Sequence, residues 1–147
     1  MGYDTPMEIP IRRFDTNVPL PEYKTPGAVA MDCTVRESVI IAPQSIGYAF
    51  LNFALKPPAG HFVMLAPRSS LHKRGLTFAN GVGIFDEDYC GDEDEYKAIL
   101  FNFTNEPVEV AKGDRIAQIV FIPYTKVTLA EQDALDNPSR GGLGTTG

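Results

Sequence analysis

The chain is poor in the side chains that build soft metal sites and in the signatures of covalent catalysis. It holds two cysteines, Cys33 and Cys90, and two histidines, His61 and His72, with no C-x-x-C unit. A zinc site would have to be gathered from scattered residues, so the expectation is two reduced, partly buried thiols and neither zinc nor disulfide chemistry. No apolar run approaches the roughly 18 to 20 residues of a membrane span. The first 13 residues lack the apolar stretch of a secretory signal, and the expected residence is cytoplasmic. Cations are also in deficit. Lys and Arg number 13 against 19 Asp and Glu, a formal net charge of -6, which argues against a broad contact surface for DNA or RNA. A small phosphorylated ligand stays open, because a few placed cations and backbone N–H groups can hold one. G-x-S-x-G, the Walker glycine loop, H-E-x-x-H and G-x-G-x-x-G are missing, and no internal repeat appears.

What the chain does have is punctuation. Its 13 glycines and 12 prolines interrupt short apolar runs in a sequence that is 44% hydrophobic and 22% charged, the rhythm of an all-β globular domain. At 147 residues one domain is expected. Strands are predicted at residues 8–14, 29–34, 38–41, 48–55, 62–65, 98–103, 108–110 and 116–123, rich in Val, Ile and Phe as a sandwich or barrel requires. One short helix is predicted at 67–74, capped by Ser69 or Ser70 and closed by Gly75. Its N-terminal N–H groups would form a small anion site. The domain then spans 1–136, followed by an arm at 137–147 with glycines at 141, 142, 144 and 147 and Arg140 as its one charged side chain. Such a tail either frays or orders over a ligand, its glycines admitting phosphate oxygens to the backbone.

Three constellations carry chemistry. Pro67-Arg68-Ser69-Ser70-Leu71 gathers a guanidinium and two hydroxyls, donors suited to a phosphate chain, although a capped exposed turn would read the same way. Asn80-Gly81-Val82-Gly83-Ile84-Phe85-Asp86-Glu87-Asp88-Tyr89 suggests a hairpin or tight turn whose backbone comes close to a planar ligand, followed at once by carboxylates. A calcium loop is excluded, because Cys90 and Lys97 occupy the fifth and twelfth positions. The acidic stretch 92–95 reads as a solvated loop. In the third segment, 112–121, Gln118 places an amide inside an apolar strand, which costs about 1 to 3 kcal/mol unless paired, so a partner is expected. Carboxylates, Arg, Ser and glycine backbone suit a metal-bound polyphosphate and an activated water.

These segments, in this order, resemble the five motifs of the trimeric dUTPase family, falling at 27–33, 67–71, 83–91, 113–118 and 140–147. The resemblance implies a dUTPase-like jelly-roll or β-barrel-type domain that hydrolyses dUTP to dUMP and pyrophosphate, keeping uracil out of DNA and supplying dUMP for thymidylate synthesis. It implies Asp86 as the general base for the water attacking the α-phosphorus, a carboxylate being ionised at neutral pH. Asp32 would hold Mg2+ through a water. Arg68, Ser69, Ser70 and Gln118 would contact phosphate oxygens. The backbone at Gly83 and Ile84, with Asn80, would read the uracil edge, and Tyr89 would lie against the deoxyribose, excluding a ribose hydroxyl. Arg140 would reach the γ-phosphate, and Leu143, Gly144 and Thr145 would close the arm over the substrate. A homotrimer with shared active sites is implied, and the apolar segment 116–122 is compatible with an interface strand. Neither nucleic acid nor a membrane is an expected partner.

Two features depart from the family pattern. The arm is two residues shorter than usual, and Leu143 stands where an aromatic ring normally stacks on the base; the acidic stretch 92–95 lengthens the link after the third motif. Two rival readings remain in view: a dCTP deaminase of the same fold, disfavoured by the Asp86 to Tyr89 pattern, and a non-catalytic binding module, disfavoured by intact Asp32, Arg68, Asp86 and Tyr89.

Overall fold

Alternation of buried and exposed residues along short runs, broken by turn residues, produces antiparallel strands throughout this computed structural model, which describes residues 6–144. In chain order these are β1 (Ile11–Arg13), β2 (Met31–Thr34), β3 (Val39–Ile41), β4 (Ile46–Phe50), β5 (Phe53–Leu55), β6 (His61–Pro67), β7 (Leu76–Phe78), β8 (Gly83–Phe85), β9 (Lys97–Asn102), β10 (Val108–Val110) and β11 (Arg115–Pro123). One four-residue 3-10 helix, Leu71–Arg74, lies between β6 and β7. The larger sheet has the order β2-β11-β6-β8 and the second β4-β9-β7, with two-stranded pairs β1-β5 and β3-β10 completing an all-β architecture. Side chains from β2 to β11 merge into one core, while those of β1 are exposed. At its centre Tyr96 stacks on Phe85 at 4.0 Å between ring centroids and lies 4.7 Å from Phe53. Cys33 is buried and Cys90 exposed, both as free thiols. Among the described residues no helix is long and apolar enough to cross a membrane.

Several predicted elements change once strands pair. The strand expected at 48–55 divides at Asn52, which adopts a left-handed φ of 78°. Asparagine tolerates that conformation. Here its buried amide repays it by donating to the carbonyls of Asp15 (3.1 Å) and Val18 (3.0 Å) and accepting from the Asp15 N–H at 2.7 Å. The helix expected at 67–74 shrinks because β6 captures its first residue: Pro67 pairs with Ala117, and the Arg68 N–H donates to the Ile116 carbonyl at 3.1 Å. Ser70 sits at the N-cap without a side-chain cap bond, while Gly75 closes the turn at φ 79° as expected. Strands β7 and β8, three residues each, were not anticipated; both depend on partners distant in sequence.

The acidic stretch is also not a solvated loop throughout. Glu95 is buried and joined to Arg36 by two contacts of 2.8 Å, and Asp94 accepts the Gly91 N–H at 2.8 Å. Periodicity alone offers no sign of this, because the partner arginine lies 59 residues away.

Candidate active site

Strand β11, central in its sheet, assembles the first group of expected site residues. Its register sets Gln118 opposite Asp32 of β2 on one side and Ala66 of β6 on the other. The backbone of Asp32 is held by reciprocal bonds with Glu22 at 2.8 and 3.1 Å. Its carboxylate, 11% exposed, has Oδ2 3.2 Å from Arg68 Nε and 3.4 Å from Arg115 Nη1. Arg68 also donates to the Arg115 carbonyl at 3.1 Å. Two guanidiniums around one carboxylate leave an excess of positive charge facing solvent, which suits an anion. Gln118 has the partner its position demands: its amide donates to the Pro67 carbonyl at 3.2 Å. Ser69 and Ser70 follow Arg68 in the exposed turn before the 3-10 helix.

The second group gathers where the two main sheets part. Asn80-Gly81 does not join paired strands; it passes the chain from β7 in one sheet to β8 in the other. The turn is tight, with Gly81 at φ 75° and the Val82 N–H donating to the Asn80 carbonyl at 2.9 Å. Beside it lies a cavity of about 370 Å³ lined by Asn80, Gly83, Ile84, Asp86, Tyr89 and Lys97, among others. A Cβ at Gly83 would be tight there, 3.0 Å from the Phe85 ring and 3.2 Å from the Leu65 Cβ. Asp86 is exposed at the mouth and also borders a larger opening of about 760 Å³ that carries Lys56 and Lys126.

The turn after Asp86 brings Tyr89 back toward the core, its N–H donating to the Asp86 carbonyl at 3.1 Å. The Tyr89 ring rests 5.5 Å from Phe85 and 5.9 Å from Tyr96, and its hydroxyl donates to the Glu95 carbonyl at 3.2 Å. Burial, with Asp94 and Glu95 nearby, raises its pKa, so the phenol stays protonated as a donor. A slot with backbone polar groups on one wall and an aromatic ring on another accepts a planar heterocycle, and a carboxylate at its mouth can take a proton from water.

Among the described residues, no hydrogen bond or ion pair joins the Asp32 group to the Asp86 group. Beyond Pro123 no strand or helix forms among them, and Arg140, Leu143 and Gly144 are exposed and line neither cavity; Thr145 lies outside the described residues. No cluster of three or more His, Cys, Asp or Glu suited to a metal ion is found among them. Sequence reasoning assigned no role to Arg115, Lys97, Arg36 or Glu95. Arg115 stands inside the fourth motif and was visible, whereas the other three are placed by strand pairing and packing alone.

The sequence profile described as dUTPase matches residues 16–147. A deoxyuridine 5'-triphosphate nucleotidohydrolase from Hydrogenobaculum sp. is 37% identical over 145 residues, covering 96% of this chain and 99% of that protein. The crystal structure of a dUTPase from Streptococcus mutans superposes with a TM-score of 0.73 at 28% identity, covering 80% of this chain and 98% of the other. The dUTPase of Staphylococcus bacteriophage 80alpha with dUPNHPP gives a TM-score of 0.83 at 19% identity over 95% of this chain and 98% of that one, a likeness of fold.

Proposed function

The chain belongs to the dUTPase family and is a dUTP diphosphatase, and we propose that it cleaves dUTP to dUMP and pyrophosphate by attack of a water on the α-phosphorus. The observation that carries the reading is the cavity between the sheets, where Asn80, Gly83, Ile84 and Tyr89 meet Asp86. In this mechanism the backbone at Gly83 and Ile84 and the Asn80 amide hydrogen-bond the uracil edge, and a cytosine would leave those groups unpaired. Tyr89 lies against the deoxyribose and fills the space of a ribose hydroxyl. Asp86 orients the water and accepts its proton, a contribution typically worth about 100- to 10,000-fold in rate.

The triphosphate falls to the other group. Arg68 supplies charge-assisted donors, with Ser69, Ser70 and Gln118 contributing to the same oxygens. Mg2+ fits this donor set, because Asp32 offers a hard carboxylate oxygen and this ion commonly keeps several waters and binds through one or two carboxylates together with substrate phosphates. When bound, it would offset phosphate charge. Asp32 would hold it through a water, and Arg140 with Leu143, Gly144 and Thr145 would close the arm at 137–147 over the nucleotide. A homotrimer with shared active sites, as family membership implies, would let different subunits bring the Asp32 and Asp86 groups to one nucleotide. The cytoplasmic role proposed is to keep uracil out of DNA and supply dUMP for thymidylate synthesis.

The test is pyrophosphate release from dUTP, dTTP, dCTP and UTP with Mg2+, with ammonia release from dCTP as the deaminase control. Turnover of dUTP far above the others is expected. Comparable turnover of all four would falsify the assignment.

A further inference from the structure

The lengthened acidic link after the third motif has a structural function in its buried end. Arg36 Nε and Nη2 donate to Glu95 Oε2 and Oε1, both at 2.8 Å, and Oε2 also accepts the Asn52 N–H at 2.9 Å. The Glu95 side chain is 8% exposed, and the Arg36 guanidinium lies 5.4 Å from the Phe50 ring centroid. The next residue is locked as well, since the Tyr96 N–H donates to the Phe53 carbonyl at 2.8 Å and its carbonyl accepts from Leu51 at 2.9 Å. The backbone of Glu95 is thus pinned by its side chain and by its neighbour, and its carbonyl receives the Tyr89 hydroxyl at 3.2 Å.

We propose that the Arg36–Glu95 pair, whose carboxylate is buried and whose guanidinium is half-buried, is a strut that positions Tyr89, and that Arg36 and Glu95 thereby help set selection of deoxyribose over ribose. The inference rests on the reading that Tyr89 faces the sugar. A two-point fork holds direction as well as distance. The aromatic contacts at 5.5 and 5.9 Å leave the ring tilted against its neighbours, and the hydroxyl bond is the contact that fixes its outer edge. Displacing the Glu95 carbonyl would let that edge swing away and open room for a ribose hydroxyl. Arg36 and Glu95 touch no substrate in this scheme; they are positioning residues.

The experiment is kcat/KM for dUTP and for UTP with the full-length protein, its Glu95→Gln and Tyr89→Phe variants, and the double variant. Expected is a fall of at least about fivefold in the dUTP-over-UTP ratio for Glu95→Gln, a comparable fall for Tyr89→Phe, and no further fall in the double variant. A purely structural pair would lower both kcat/KM values together and leave the ratio within about twofold, and losses that multiply in the double variant would equally overturn the strut. Should Glu95→Gln not fold, Arg36→Lys, which keeps the charge but not the fork, is measured in its place. Tyr89→Phe alone still decides, because a wild-type ratio there leaves the hydroxyl bond without a role. Wild-type protein that turns over UTP as readily as dUTP removes the assignment of Tyr89 itself, an outcome distinct from failure of the strut.

Discussion

Asp32 Oδ2 lies 3.2 Å from Arg68 Nε, so the carboxylate proposed for the metal and the guanidinium proposed for the phosphates are partners before any substrate arrives. Each keeps the other's charge compensated at a half-buried site, and Arg115 adds a second cation at 3.4 Å. In the proposed mechanism an incoming polyphosphate would exchange this pairing for its own oxygens.

Arg68→Lys tests that exchange. Lysine retains the charge but offers a single rotating donor group in place of the planar fork. The KM for dUTP is expected to rise by about tenfold or more with a smaller change in kcat, since the lost contacts are made in ground and transition states alike. Steady-state kinetics with saturating Mg2+ reads the split, and an unchanged KM would remove Arg68 from phosphate recognition.

Asp86→Asn should preserve the shape of the site and remove the base. Nucleotide binding, followed by titration calorimetry with a non-hydrolysable dUTP analogue, is expected to stay near wild type, while pyrophosphate release falls at least about a hundredfold. Retained turnover places the base elsewhere.

Glu87 and Tyr124 link the turn after Asp86 to the end of β11 through a hydrogen bond from the Tyr124 hydroxyl to the Glu87 carboxylate. That bond lowers the Glu87 pKa from its ordinary 4.5 and raises the Tyr124 pKa from its ordinary 10.0. The signs differ. Stability from the depressed carboxyl is present above 4.5 and is lost as pH falls through the folded value; stability from the raised phenol is present below 10.0 and is lost as pH rises through the folded value. The Tm difference between wild type and Tyr124→Phe is therefore expected to be largest between these limits and to shrink at both ends. A difference that does not vary with pH would show that the bond is not formed in solution.

Of the two thiols, Cys33 is buried and its pKa is pushed up first by that burial and then by Asp32, whereas Cys90 is exposed. The thiolate is the reactive form. Native protein should therefore titrate one thiol rapidly with a disulfide-exchange reagent and two after denaturation. Two fast thiols in native protein would mean that β2 opens readily.

Much of the proposed site can be read from the sequence because its chemistry is carried by short segments. Arg68-Ser69-Ser70, the Asn80-Gly81 turn and the Asp86 to Tyr89 run are contiguous, so their donors, backbone freedom and carboxylates can be read without a fold. The need of Gln118 for a partner was equally plain, an amide in an apolar strand being costly unless satisfied, and Pro67 meets it. Less legible were β7 and β8, too short to show a period, and the true extent of the predicted helix, where pairing of Pro67 with Ala117 overrode local preference.

The sequence by itself determined the kinds of groups available and the all-β rhythm, because residue type, turn chemistry and two-residue alternation are local properties. Only the tertiary structure decided which of those groups meet. Asp32, Arg68, Arg115 and Gln118 come together through the register of β2, β11 and β6. Arg36 reaches Glu95 across 59 residues to hold the carbonyl on which Tyr89 rests. Strand register and burial are settled by the packing of the whole core, and no window of sequence contains that information.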